Sequence, residues 1–353
     1  MTRWQDRELA ARGLTLALAG AGVGVFWAAG LPLPFLFGPM AACLLAALAG
    51  AKLQGMGRLG KGMRTILGVA VGASVTPALV GQLPAMALSV ALIPLFIMSI
   101  ALVGVPLFRR AGLDPVTAWY AAMPGGLQDM VVFGQEAGAD MRRLSLIHAT
   151  RVLLIVTLAP PILTRIYGAQ LTAPMGAPLM EVPITELAFM LGAALLGWLG
   201  GEKIGLFGAT ILGPMMVTAA LSLGDFIHMR PPAELILLAQ VFIGMSVGVH
   251  YVGITRRELQ STVALGVAFV LVLALITAIF VEAVVLTGLA DPVDAFLAFA
   301  PAGQAEMTVL AIIVGADLGY VILHHLTRMV LVITGAPLAA RFMGYSRKNP
   351  KDR

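Results

Sequence analysis

Pro124-Gly125-Gly126-Leu127-Gln128-Asp129-Met130 interrupts an apolar run, and it returns 177 positions later (301 − 124) as Pro301-Ala302-Gly303-Gln304-Ala305-Glu306-Met307. Proline removes a helix donor and crowds the preceding turn, and glycine weakens a helix further. A carboxylate three residues beyond the last glycine is costly in hydrocarbon. Two such stretches in register predict a site built from the two halves of a duplicated chain.

The surrounding sequence sets the solvent. Of 353 residues, 59% are hydrophobic and 12% charged, with a mean hydropathy of +0.94. Soluble domains carry about 25% charged residues. Apolar runs long enough to cross a bilayer as helix recur from end to end, near 13–30, 33–51, 62–81, 84–107, 116–137 and 143–165, then 185–200, 205–224, 232–253, 260–288, 292–315 and 319–342. The expected fold is an all-α polytopic membrane protein. Its parts are a first repeat over 1–165, a periplasmic linker over 166–184, a second repeat over 185–343 and a basic cytoplasmic tail over 344–353.

The repeats match residue for residue. Gly38-Pro39-Met40 answers to Gly213-Pro214-Met215, and Gly68 and Gly72 to Gly244 and Gly248. Gly138-Ala139-Asp140 answers to Gly315-Ala316-Asp317, and His148, Thr150 and Arg151 to His325, Thr327 and Arg328. The offset drifts only from 175 to 177. Glycines at i, i+4 let helices approach closely. The Gly-Pro pairs read as kinks or first-turn prolines, and their duplication suggests a second break that shapes a cavity.

Charge distribution bears on orientation. If 116–137 and 292–315 are re-entrant hairpins, each repeat has five crossings and the second copy is inverted. Nineteen of the 23 Lys and Arg then share the cytoplasmic face, Arg165 and Arg230 lie opposite, and Arg151 and Arg328 lie inside helices. Twelve crossings would move Arg142, Arg143, Lys203, Arg256 and Arg257 out and Arg165 and Arg230 in, a poorer split of 16 to 5. Two inverted repeats are therefore expected.

Backbone unwound at Pro124, Gly125 and Gly126, and at Pro301, Ala302 and Gly303, frees N–H groups at the start of each second half-helix. With Gln128 and Gln304 beside them, these tips are the candidate substrate-binding residues, because a helix N-terminus attracts anions. Asp129 and Glu306 are candidate coupling-ion residues. The competing reading is that each caps its own half-helix. Asp140 and Asp317 read as N-caps. Arg151 and Arg328 lie about two turns inside apolar helices, on one face with His148 and His325. Each needs an acid, a carbonyl or water; both are placed in the substrate-binding set. The histidines read as helix-packing residues.

Other chemistries lack their residues. Cys43 is the single cysteine, so neither a disulfide framework nor a thiolate metal site can form. Five scattered histidines make no obvious metal cluster. The N-terminal Arg3, Arg7 and Arg12 precede an apolar run without a small-residue cleavage site, which reads as a retained first span. The net charge of +5 follows from topology rather than from a nucleic-acid surface. No cofactor, metal or enzymatic activity is expected. The expected partners are a small-molecule solute and the lipid bilayer, with self-association into a homo-oligomer, and no nucleic acid.

Both Pro-[Gly/Ala]-Gly-x-x-[Asp/Glu]-Met stretches, both Gly-Ala-Asp copies and both Gly-Pro-Met copies resemble the bacterial AbrB-type membrane proteins, which carry a duplicated membrane domain. The resemblance covers nearly the whole chain and implies a multi-pass protein of the bacterial inner membrane. Such proteins have been labelled both ammonia monooxygenases and regulators of gene expression. The residues oppose both labels taken literally. A copper monooxygenase needs a metal-ligand set, and a transcription factor needs a basic soluble module. The leading expectation is a secondary transporter of a small anionic or zwitterionic solute coupled to H+ or Na+. The alternative is a membrane sensor that affects expression indirectly.

Overall fold

The computed structural model describes residues 3–31, 33–172, 175–206 and 208–345; within its helices the side chains of 3–7, 78, 79, 82, 128, 129, 132 and 305 lie outside the described set. Its helices run in the order α1 (Arg3–Ala28), α2 (Pro34–Leu48), α3 (Gly57–Gly72), α4 (Pro77–Val90), α5 (Ile93–Arg110), α6 (Pro115–Ala122), α7 (Leu127–Ala137) and α8 (Met141–Arg165). The second half continues with α9 (Ile184–Lys203), α10 (Ala209–Leu223), α11 (Ala233–Val249), α12 (Arg256–Glu258), α13 (Ala264–Leu286), α14 (Pro292–Phe299), α15 (Gln304–Val314) and α16 (Leu318–Phe342). A π-helical turn at Leu259–Val263 joins α12 to α13, and a 3₁₀ turn at Leu179–Glu181 precedes α9. The described chain is all-helical.

Among the described residues, six helical stretches are long and apolar enough to cross a membrane: Glu8–Ala28, Leu83–Arg110 (the end of α4 with α5), Met141–Arg165, Ile184–Lys203, Arg256–Leu286 (α12 through α13) and Leu318–Phe342. Their outward faces are apolar as well. Leu271, Leu275 and Ile279 form one stripe of α13, and each is more than half exposed. Such a stripe is unfavourable in water and suited to lipid. This is the pattern of a multispanning membrane protein.

One predicted segment moves. The run expected over 62–81 is cut: α3 begins at Gly57 and ends at Gly72, and α4 restarts at Pro77. Proline has no N–H and disfavours helical backbone in the residue before it, Thr76, but it suits a first helical turn.

The chain divides into two compact units that cut across the repeats. The first comprises Met1–Leu83, Leu163–Ile254 and Thr308–Gly319, and so takes α1–α3 from one half and α9–α11 from the other. Its helices contact one another reciprocally. Gly68 and Gly72 of α3 abut the carbonyls of Ile211 and Met215 in α10, while Gly244 and Gly248 of α11 abut those of Leu36 and Met40 in α2. Ile211 and Met215 stand 175 positions after Leu36 and Met40. Each glycine pair therefore packs on the Gly-Pro helix of the other half of the sequence. The i, i+4 glycines are thus close-approach positions.

The Gly-Pro pairs do not break their helices. Pro39 and Pro214 lie inside α2 and α10, which continue through them. Pro39 is only five residues past the start of α2, so it withholds a donor from the Phe35 carbonyl alone. The glycines explain the motif better. Gly38 lies directly on the Gly22 backbone of α1, and Gly213 on the Gly197 backbone of α9.

A polar latch closes the α10–α11 loop in this unit. Asp225 takes a left-handed backbone (φ 65), where Gly50 stands 175 positions earlier. His228 links two carboxylates, with Nδ1 3.0 Å from Glu186 Oε1 and Nε2 3.0 Å from Asp225 Oδ1. The Glu186 carboxylate also accepts the N–H groups of His228 and Met229. Glu186 first, then Asp225, raises the His228 pKa above its ordinary 6.5. A histidine whose pKa is raised by folding stabilises the fold at pH below its ordinary value, and that stabilisation fades as pH rises through the raised value. Thermal unfolding in detergent should therefore occur at lower temperature at pH 8 than at pH 6, and His228→Gln should flatten that difference.

The second unit comprises Pro84–Ile162, Thr255–Met307 and Tyr320–Arg353. Its aromatic core joins Phe96 of α5 to Phe280 of α13 and Phe299 of α14, at ring-centroid distances of 5.2 and 5.4 Å. Around that core sit both interrupted segments.

Candidate functional site

The segment 115–137 is two short helices, not one. Asp114 caps α6 by accepting the Thr117 N–H at 3.0 Å. Met123 and Gly126 then take extended backbone on either side of Pro124 and Gly125. With 8 and 11 residues, the helices are roughly 12 and 16 Å long, and neither could cross an apolar core of about 30 Å. They fold back on each other. The Thr117 hydroxyl accepts the Asp140 N–H at 2.7 Å, which ties the start of α6 to the end of α7. Asp140 also caps α8, accepting from the N–H groups of Arg142 and Arg143 at 3.1 Å each. The second segment breaks at the matching place, between α14 and α15, after Phe299.

A broken helix leaves its last carbonyls without partners. The buried arginines supply them. Arg151, 1% exposed, donates from Nη1 to the Met123 carbonyl at 3.0 Å and from Nη2 to the Gly125 carbonyl. Arg328, 3% exposed, donates from Nη1 to the Ala300 carbonyl at 2.9 Å and from Nη2 to the Ala302 carbonyl at 3.3 Å. Both copies span 28 and 26 residues. The histidines repeat the pattern: His148 Nε2 lies 3.1 Å from the Tyr120 carbonyl and His325 Nε2 2.8 Å from that of Leu297. His325 Nδ1 additionally lies 3.0 Å from Arg328 Nη2. With Nε2–H donating to the carbonyl, Nδ1 is the acceptor.

The residues after each break make the opposite end of the site. Pro124 and Gly125 are buried and Gly126 is half-buried, as are Pro301, Ala302 and Gly303 in the same order. Met130 packs the end of its side chain on Gly125, where an added Cβ would have to push it aside, whereas the matching residue in the second copy is Ala302. The Glu306 carboxylate folds back over Gly303, occupying the space where a side chain at 303 would stand. That is the reach of an N3 glutamate toward its N-cap residue. Gln304 opens α15 and is 9% exposed. Neither atom of its amide has a hydrogen-bond partner among the described residues. Gln128 and Asp129 lie in the first turn of α7, and their side chains are outside the described set.

The structure brings the two tips into one region of this unit: Arg151 is within electrostatic reach of both Glu306 and Arg328. The carbonyl ends are closed by guanidinium groups, and the N–H ends of α7 and α15 carry the positive ends of helix dipoles. The carbonyls of Met123 and Ala300 were not recognisable as partners from the sequence alone. The signal that could have found them is the common 28-residue spacing to each arginine. Among the described residues no group of three or more His, Cys, Asp or Glu could hold a metal ion.

Residues 35–344 match the family model described as "Transition state regulatory protein AbrB". The chain belongs to the AbrB family. Among relatives of this AbrB-family chain is "Uncharacterized protein YhjN" of Bacillus subtilis (strain 168), 27% identical, with the alignment covering 96% of this chain and 94% of the relative. Another is "Putative regulator AbrB" of Escherichia coli (strain K12), 26% identical over 90% of this chain and 92% of its own length. The family match therefore includes both broken segments.

Proposed function

We propose that this AbrB-family protein is a secondary transporter of a small anionic or zwitterionic solute, coupled to H+ or Na+, in the bacterial inner membrane. The observation that carries the reading is the pair of helix breaks in one unit, each with its carbonyls closed by a buried arginine and a half-helix N-terminus just beyond them. Pro124–Gly126 with Gln128, and Pro301–Gly303 with Gln304, form the substrate site; Arg151 and Arg328 hold its geometry and give it positive charge. Asp129 and Glu306 respond to the coupling ion. The reciprocal α2–α11 and α3–α10 contacts, together with the charge count, support two inverted repeats with re-entrant tips, an arrangement suited to alternating access.

A second reading has one specific support, the regulator wording of the family description and of the E. coli relative. In it the same site binds a ligand without moving it, and any effect on expression is indirect. Vesicles reconstituted with the purified protein separate the two. Solute uptake that follows an imposed H+ or Na+ gradient is expected; saturable binding with no uptake under any gradient would favour the sensor.

A further inference from the structure

Discontinuous membrane helices offer two kinds of ligand site: unwound carbonyls for a cation and half-helix N-termini for an anion. Here the cation half is already occupied by the protein. The carbonyls of Met123, Gly125, Ala300 and Ala302 each accept a guanidinium N–H from Arg151 or Arg328. Arginine does not lose its proton in a protein, so these two charges are permanent. A sodium ion seeking the same carbonyls would meet a like charge a few Å away in a medium of low dielectric. At the N–H half Glu306 is folded over the N-cap residue Gly303, yet one buried polar group there has no partner among the described residues. The first turn of α15 has Gln304 at its head, at least nine-tenths buried, with both amide atoms unpartnered among the described residues. A buried polar group left so is expensive unless something binds it.

We infer that Arg151 and Arg328 stand in for transported cations at the two breaks, so that the tips form a sodium-independent site for a small carboxylate, read by the Gln304 amide and the α15 N-terminus. The inference rests on the substrate site proposed above, and it narrows both the solute and the coupling ion. A carboxylate suits the site because the Gln304 NH2 can donate to one of its oxygens beside the positive end of the α15 dipole. Glu306, folded over Gly303 and within electrostatic reach of Arg151, offsets part of the fixed charge without using up the Gln304 donors.

The test uses the full-length protein in detergent, with thermal unfolding as readout. Potassium salts of acetate, succinate, citrate and glutamate are titrated in sodium-free buffer beside potassium phosphate and putrescine dihydrochloride. At least one carboxylate should raise the unfolding temperature saturably, and replacing potassium by sodium at constant ionic strength should leave its affinity unchanged. Gln304→Leu keeps the volume and removes only unpartnered polar atoms, so it should fold; its carboxylate affinity should fall about tenfold or more. A carboxylate shift that needs sodium, a shift with putrescine or phosphate alone, or no carboxylate shift at all would overturn the inference. Wild-type affinity in Gln304→Leu would overturn the role of Gln304. Carboxylate binding without flux in vesicles would instead sink the transporter reading and leave the anion site standing. Sodium-driven flux would do the reverse.

Discussion

Arg151→Ala should lower the stability of the protein by about 2–6 kcal/mol, since it strands two buried carbonyls at about 1–3 kcal/mol each. The carbonyls are those of Met123 and Gly125. Water cannot reach them cheaply in an apolar interior, and no helical N–H is available because Pro124 has none to give. Arg328→Ala should cost more, because it also removes the donor that meets His325 Nδ1. Arg151→Lys is the informative control. It keeps the charge but presents one compact ammonium instead of a planar fork, so it should recover only part of the loss. Intrinsic-fluorescence melting of the detergent-purified variants measures all three. An alanine variant melting at the wild-type temperature would mean that these carbonyls find other partners, and the breaks would then owe their shape to something else.

Gly38→Leu and Gly213→Leu should prevent the first unit from assembling. Gly38 lies on the backbone of Gly22 and Gly213 on that of Gly197. A side chain there meets peptide atoms, not the end of a flexible neighbour, so α1 and α2, or α9 and α10, must move apart along their length. Overpacking a well-filled site typically costs about 1–3 kcal/mol, and an obstacle that cannot rotate away raises that figure. The comparison lies in the same helices. Gly20 and Gly192 have nothing within 4 Å of an added Cβ, and Gly20→Ala and Gly192→Ala should be neutral or slightly stabilising through helix propensity. Yield of monodisperse protein after detergent extraction distinguishes the two classes. Equal yields from Gly38→Leu and Gly20→Ala would dismiss the close-contact argument.

Much of this was legible in the chain. Pro124, Gly125 and Gly126 announce a break because proline and glycine oppose helix whatever surrounds them, and their return at 301–303 exposes the duplication. The i, i+3 spacing of His148 and Arg151, repeated at His325 and Arg328, puts each pair on one helical face. The need of a buried arginine for a strong partner is equally local physics, and so is the capping of α8 by Asp140. Other features left no such trace. The two readings of Gly38-Pro39 could not be separated from the sequence, because a proline near a helix start costs little and a glycine against another backbone looks like any other glycine. The division at 73–76 was missed because hydropathy continues across it.

The amino-acid sequence by itself determined that this is a helical, duplicated chain suited to lipid, where it breaks, and which charged residues have to be buried. Only the tertiary structure decided what satisfies them. Partner choice depends on which carbonyls the folded backbone orphans, and those lie 26 and 28 residues away from each arginine. The return of α6 on α7 through Thr117 and Asp140, and the Gln304 amide, unpartnered among the described residues, are likewise products of packing. Periodicity and propensity act over a few residues. Hydrogen-bond satisfaction is settled across the whole unit.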